Sequence, residues 1–141
     1  MLNYLMICVH MKKKFILIDD DPIFIFLNKK VLETTTCMES VQDFTSGLDA
    51  LENIKNNLDN IDKVVILLDI RMPIMDGFAF IDELKKTVGS DIDKFIIYLL
   101  SSSIYQADID KAKQYPEVRD FLNKPLNTDK MESVCKELMS L

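Results

Sequence analysis

Apolar residues along this chain form short continuous runs separated by longer stretches with helical spacing. The run at 64–68 is apolar without alternation, and so is the run at 95–100. Such runs are typical of strands that a parallel sheet buries on both faces. Between the runs, apolar residues recur every three or four positions, as amphipathic helices require. One such series is Leu48, Leu51, Ile54 and Leu58.

After Met11 the pattern predicts five strands alternating with five helices. The strands are expected at 14–18, 40–44, 64–68, 95–100 and 118–122, and the helices at 21–32, 46–58, 77–88, 106–114 and 128–139. Strands separated by helix-length segments pair in parallel through right-handed crossovers. The predicted fold class is therefore α/β, a three-layer, doubly wound, five-stranded parallel sheet. The second strand is short and half polar, as an edge strand can be, and helix four has few apolar anchors.

Composition limits the classes of function that this fold can serve. The 141 residues suffice for one domain with a real core, and 48% of them are hydrophobic. The net charge of −6, with no basic stripe, argues against direct nucleic-acid binding. The cysteines, Cys8, Cys37 and Cys135, form no CxxC pair, so we expect reduced thiols in a cytoplasmic protein.

The first residues differ in character from the rest of the chain. They are apolar but few, and the basic residues 12–14 follow rather than precede them. This order does not fit a signal peptide, and the run is too short to span a membrane. We expect residues 1–11 to be an N-terminal extension outside the fold and residues 12–141 to form the domain. The alternative is an anchor or contact segment.

Polar side chains follow four of the predicted strands. Asp19 and Asp20 follow strand one, Asp69 strand three, Ser101 strand four and Lys124 strand five. The carboxyl ends of parallel strands lie at one edge of a sheet, where ligands bind. Crowded carboxylates raise one another's pKa unless a cation joins them, and oxygen ligands in small number suit Mg²⁺. A carboxylate beside Mg²⁺ can attack phosphorus, so the set is chemically complete for phosphoryl transfer to Asp69.

This ordered set resembles the receiver domain of two-component response regulators. The resemblance covers residues 13–138. It rests on the acidic pair, the strand-four serine, Asp69 with Met72-Pro73 and Asp76-Gly77 behind it, and Lys124-Pro125. It implies a flavodoxin-like sheet with strand order 2-1-3-4-5, and the peptide before Pro125 is often cis in this family.

The resemblance also implies roles for individual residues. Asp69 would be the phosphoacceptor and Lys124 the phosphate-pairing lysine. Mg²⁺ would be held by Asp20, Asp69 and the backbone carbonyl of Arg71, with Asp19 acting through water.

The resemblance also implies two residues that would change position when Asp69 is phosphorylated, a switch hydroxyl and a switch aromatic. Ser101 would be the switch hydroxyl, although the count from Lys124 favours Ser102 if nothing is inserted between them. We prefer Ser101 because the apolar run ends at Leu100. Phe121 would be the rotating switch aromatic, without a hydroxyl to offer a partner.

The leading functional hypothesis is a stand-alone phosphorylation switch rather than an enzyme. A sensor histidine kinase or histidine phosphotransfer protein would supply the phosphoryl group. We expect no binding of this chain to a membrane. Output would pass through an unidentified protein on helix four, strand five and helix five, or through a phosphorylation-dependent homodimer. A phosphorelay shuttle is the alternative within signalling.

A Mg²⁺-dependent small-molecule phosphatase is the alternative outside signalling. A phosphatase needs a second acid near its nucleophile and a substrate cap. Arg71 stands two residues after Asp69, and no cap-sized insertion is present. A structural pseudo-receiver typically lacks a site residue, and none is missing here.

Overall fold

The computed structural model describes residues 12–141 and contains the predicted alternation of strands and helices. The strands are β1 (Lys13–Ile18), β2 (Met38–Phe44), β3 (Val64–Asp69), β4 (Phe95–Ser101) and β5 (Val118–Asn123). The helices are α1 (Pro22–Glu33), α2 (Gly47–Asn56), α3 (Gly77–Val88), α4 (Gln106–Ala112) and α5 (Thr128–Met139). The expected extension at 1–11 lies outside the described residues and stays a prediction.

The five strands form one parallel sheet in the order β2-β1-β3-β4-β5. This order confirms the flavodoxin-like topology. Ile18 pairs with Leu68, and Asp69 pairs with Leu100, so the central strands end nearly level with one another. The strand order reverses between β1 and β3, which places a crevice at their carboxyl ends.

Two core layers hold the helices against the sheet. Side chains alternate across β1, so Ile16 and Ile18 face the layer under α2, α3 and α4, whereas Phe15 and Leu17 face the layer under α1 and α5. All six residues of β3 are buried, as are all seven of β4. Continuous burial on both faces explains why these two strands have no polar alternation.

Several apolar residues of the helices are exposed, and two short 3₁₀ helices lie between the regular elements. Leu48 was expected in the apolar stripe of α2, but it is 55% exposed and lines a small groove with Met72 and Pro73. In α1 the apolar residues Ile23 and Phe26 are also exposed. Two 3₁₀ helices, Leu58–Asn60 and Gly89–Lys94, lie before β3 and β4. Within the described residues, no helix is long and apolar enough to cross a membrane.

The expectation of reduced thiols is wrong for two cysteines. Cys37 and Cys135 form a disulfide, with their Cα atoms 5.5 Å apart. Cys37 precedes β2 and Cys135 lies in α5, so folding joins positions that are separated by 98 residues. Wide spacing in the sequence therefore concealed a pair that the packing of α5 brings together. Cys8 lies outside the described residues.

Candidate functional site

Three carboxylates meet in the crevice between β1 and β3. Asp19, Asp20 and Asp69 each offer one oxygen, and these oxygens lie within 4.8 Å of one another. Asp19 and Asp69 are buried whereas Asp20 is exposed, so the cluster is open to solvent on one side. Hard oxygen donors with room for water molecules are the environment that Mg²⁺ prefers, and these residues therefore fit that ion.

Lys124 reaches this cluster from the segment after β5. Its Nζ lies 2.9 Å from Asp19 Oδ2 and 3.4 Å from Asp69 Oδ1. The lysine side chain is only 6% exposed, and its ammonium also lies 4.2 Å from the centre of the Phe24 ring. The backbone N–H of Lys124 donates to the Ser101 carbonyl at 2.9 Å, which fixes the lysine to the end of β4. The peptide between Lys124 and Pro125 is cis, as the resemblance implied.

The charges at the site are unbalanced without a metal. Burial, with the neighbouring Asp19 carboxylate, raises the pKa of Asp69 to about 7, and Lys124 opposes the rise. The single positive charge of Lys124 therefore does not balance the negative charges of two buried carboxylates and a third, exposed one. A divalent cation among the carboxylates would relieve this repulsion and favour the ionised Asp69.

Backbone groups orient the two buried carboxylates. The N–H of Asp21 donates to Asp19 Oδ1 at 2.9 Å, and the N–H of Arg71 donates to Asp69 Oδ1 at 3.3 Å. Asp21 also caps α1 by accepting from the Ile23 N–H, so the turn that positions Asp19 also starts the helix.

The loop after β3 returns closely to the backbone of Asp69. The Gly77 N–H donates to the Ile70 carbonyl at 2.9 Å, and a Cβ at Gly77 would lie 2.9 Å from the Asp69 carbonyl oxygen. A side chain there would push against the backbone that carries Asp69, so glycine is required by this close approach. The Asp-Gly pair is therefore part of the support of the site as well as the start of α3.

Ser101 and Phe121 lie farther along the same sheet edge. Ser101 is buried at the end of β4, its hydroxyl donates to the Ser103 carbonyl, and it accepts from the Ser103 N–H at 3.2 Å. Ser102 is exposed. Phe121 is half-buried on β5 beside Leu99 and packs against the core layer under α2, α3 and α4.

An open cleft of about 400 Å³ brings most of the predicted site residues together. Asp20, Asp69, Arg71, Ser101 and Lys124 all line it. Phe121 does not line the cleft.

Sequence reasoning missed three side chains that support the site. Phe24 covers the Lys124 ammonium. Buried Asn28 accepts from the Leu126 N–H at 2.9 Å, next to the cis peptide. Buried Asp108 in α4 binds the Arg71 guanidinium at 2.6 Å. A signal existed only for Asn28, a polar residue on the buried face of an otherwise apolar stretch of α1.

Comparison with known proteins places this geometry in a family. The sequence-family model of the response regulator receiver domain matches residues 15–136 of this chain. A crystal structure of a two-component response regulator from Cytophaga hutchinsonii superposes with a TM-score of 0.84 at 30% identity, covering 92% of this chain and 98% of that one. The chain is 29% identical over 126 residues to the hybrid signal transduction histidine kinase L of Dictyostelium discoideum.

The curated relatives are longer than this chain. The match covers 88% of the chain but 7% of the Dictyostelium protein. It covers 87% of the chain but 43% of an uncharacterized response regulatory protein of Vibrio cholerae, at 27% identity. The similarity to these relatives therefore concerns the receiver module and not their other parts.

Proposed function

Because the chain belongs to the response regulator receiver domain family, we propose that it is a signalling switch that accepts a phosphoryl group on Asp69. The donor is a phosphohistidine of a sensor histidine kinase or of a histidine phosphotransfer protein, and the output is a contact with another protein. The observation that carries this proposal is the convergence of three carboxylates and one buried lysine at the end of β3.

The chemistry follows from the positions of these groups. An ionised oxygen of Asp69 attacks the phosphorus, an O–P bond forms, and the P–N bond to the donor imidazole breaks. The imidazole leaves with the electron pair of that bond and takes up a proton. Lys124 lies 3.4 Å from Asp69 Oδ1, which places its charge beside the incoming phosphoryl oxygens.

Mg²⁺ supplies charge neutralisation for the phosphoryl oxygens when it is bound. Asp20 and Asp69 would hold it, with the Arg71 carbonyl as a third ligand and Asp19 acting through water. The raised pKa of metal-free Asp69 supports this assignment, since a cation there favours the ionised nucleophile that the reaction needs.

Receiver domains are in general signalling domains rather than enzymes. A small-molecule phosphatase would need an acid beside Asp69 to protonate a leaving alkoxide. The side chain two residues on is Arg71, which has no proton to give at neutral pH and is paired with Asp108. The geometry therefore favours the switch over the phosphatase.

The signal leaves the site through the end of β4. Ser101 would contact a phosphoryl group on Asp69 only after its hydroxyl releases the Ser103 backbone, which requires the 101–103 loop to move. That movement reaches α4 and gives Phe121 space to turn inward. The burial of Ser101 and the exposure of Ser102 support Ser101 as the switch hydroxyl.

Phosphorylation by a small donor tests the proposal. We expect acetyl phosphate with Mg²⁺ to add one phosphoryl unit to the intact mass, and Asp69→Asn to abolish the gain. Asp129→Asn is a matched control, because Asp129 is an exposed acid in the first turn of α5. Phosphorylation of the Asp69→Asn variant at another residue would contradict the assignment.

A second experiment tests the route of the signal. Beryllofluoride with Mg²⁺ should change amide exchange most at 101–114 and around Phe121. Ser101→Ala should still accept phosphate but reduce that change. If Ser102→Ala reduces it and Ser101→Ala does not, the switch hydroxyl is Ser102. If exchange changes only at the acidic cluster, the chain is not a switch.

A further inference from the structure

Lys124 reaches the acidic cluster beside the aromatic ring of Phe24, which is not part of either core layer of the described residues. Its Nζ lies 4.2 Å from the centre of the Phe24 ring, which projects from the first turn of α1. Phe24 is half-buried, and in the described part of the chain it is not among the residues that pack into either core layer. Outside the two core layers, the ring of Phe24 contacts the Lys124 ammonium.

Helix α1 also contains an exposed lysine–aromatic contact, which serves for comparison. Lys30 lies 5.3 Å from the centre of the Phe26 ring, and both side chains are exposed to water. The Lys124 side chain is only 6% exposed. A cation is attracted to the face of an aromatic ring, and the attraction grows when the cation is removed from water.

We propose that Phe24 is a positioning residue for phosphoryl transfer, because its ring holds the Lys124 ammonium toward Asp69 and keeps water away from it. This inference rests on the proposed function of the site. Phe24 does not touch the reacting atoms and acts through Lys124.

The Phe24 ring matters because the same carboxylates would bind both the Lys124 ammonium and Mg²⁺. Asp19 and Asp69 bind the Lys124 ammonium, and they also belong to the cluster that fits Mg²⁺. Once a cation shares their charge, the carboxylates attract the lysine less strongly. A lysine released into water gains rotamer freedom, and ordering it again opposes binding of a phosphoryl group. The ring binds no metal, so its hold on Lys124 persists.

The first test is spectroscopic and uses the metal-free protein. The ring current of Phe24 should shift the Lys124 ε-methylene protons upfield. Phe24→Leu should remove this shift, Phe24→Tyr should retain it, and Phe26→Leu should not alter it. Unchanged Lys124 resonances in Phe24→Leu would overturn the proposal, whatever the protein does with phosphate.

The second test measures the affinity for beryllofluoride in the presence of Mg²⁺. Phe24→Leu should weaken it about tenfold, which corresponds to about 1.4 kcal/mol. Phe24→Tyr should restore it to within about twofold, since the ring face is kept. In a Lys124→Met background, Phe24→Leu should cause no further loss, because the ring acts through the lysine.

The outcomes separate this inference from the function on which it rests. If the wild-type protein does not bind beryllofluoride, the proposed function fails, while the spectroscopic test still decides the contact. If the wild type binds and Phe24→Leu binds equally well, or if the losses add in the Lys124→Met background, only the role of Phe24 is overturned. Phe24→Met, which keeps a large side chain without a ring, replaces Phe24→Leu if the latter fails to fold.

Discussion

Helices α3 and α4 both follow strands that end beside the acidic cluster, but they are attached to the sheet differently. Six of the twelve residues of α3 are buried, and its N-cap Asp76 accepts from the Ala79 N–H at 2.8 Å. In the seven-residue α4 the buried residues are Asp108 and Ala112, and the N-cap Tyr105 makes no side-chain cap bond. Apolar burial thus fixes α3, whereas α4 has little of it.

What α4 has instead is an ion pair with Arg71, in the loop after β3. Arg71 binds buried Asp108 at 2.6 Å, and the N–H of the same arginine donates to Asp69. Arg71 therefore contacts Asp69 through its backbone and α4 through its side chain. From this comparison we expect α3 to act as a fixed support and the position of α4 to respond to charge at the acidic cluster.

The largest expected effect is a difference in the free energy of unfolding lost when an apolar side chain is removed from α3 or from α4. Leu84→Ala in α3 removes a fully buried side chain, and we expect it to lower the free energy of unfolding by about 3–5 kcal/mol. Ile109→Ala in α4 removes a half-buried side chain, with an expected loss of about 1 kcal/mol. Guanidinium denaturation measures both. Equal losses would show that α4 is as firmly packed as α3.

The second prediction concerns the carboxylate of Asp69, at the end of β3. The pKa of Asp69 is raised to about 7 from an ordinary 3.8, so the folded, metal-free protein holds a proton that the unfolded chain releases. The resulting stabilisation is complete at low pH and is lost as the pH rises through about 7. We expect Asp69 to contribute a fall on the order of 2–4 kcal/mol in the free energy of unfolding.

Denaturation of metal-free protein between about pH 4 and 8 measures this fall. Asp69→Asn removes the titrating group and should flatten the corresponding part of the profile. Added Mg²⁺ should restore stability at high pH, because it binds the ionised cluster of the native state. If the wild type and Asp69→Asn have parallel profiles, Asp69 does not titrate as described.

The fold class and the acidic cluster could be predicted from local sequence signals, whereas the strand order was implied by the family resemblance. Continuous apolar runs fix β3 and β4, and parallel pairing brings the residues that follow β1, β3 and β5 to one edge. Asp69 and Lys124 were thus brought together, although 55 positions separate them in the numbering. Rules of strand topology carry such long-range information because they do not depend on side-chain detail.

The remaining features depend on packing that no local pattern records. Asp108 stands in a polar helix that also contains Asp110, and only the fold shows that Asp108 is buried against Arg71. The Cys37–Cys135 bond follows from the approach of α5 to the segment before β2. Leu48 satisfies helical spacing, yet it lies in the first turn of α2, beside a groove and away from the sheet. Periodicity assigns a face to a side chain but does not say what covers it.

The third prediction breaks the ion pair of α4. Arg71→Ala leaves the Asp108 carboxylate buried without its partner, and we expect a local loss of about 1–3 kcal/mol. The estimate is moderate because the Arg71 side chain is 61% exposed and water screens the pair. Amide exchange should accelerate in 106–112 and remain unchanged in α3.

The matched control is an exposed pair on the same segment. Lys113→Ala breaks the 3.6 Å contact with Asp110, in which both side chains are exposed, and should change exchange by less than about 0.5 kcal/mol. Equal effects of the two substitutions would mean that the Arg71 pair does not hold α4 in place.

The smallest expected effect lies in the loop that leads into α3. Ile74 has φ = 70° and is 97% exposed, in a turn that the Met75 N–H closes onto the Pro73 carbonyl at 2.7 Å. A β-branched residue is strained in this left-handed region, whereas asparagine tolerates it. Ile74→Asn should therefore raise the free energy of unfolding by up to about 1 kcal/mol, and Ile74→Val, which keeps the branch, should leave it nearly unchanged. Thermal unfolding followed by circular dichroism measures the difference. An Asn variant no more stable than the Val variant would show that the turn before α3 stores no backbone strain.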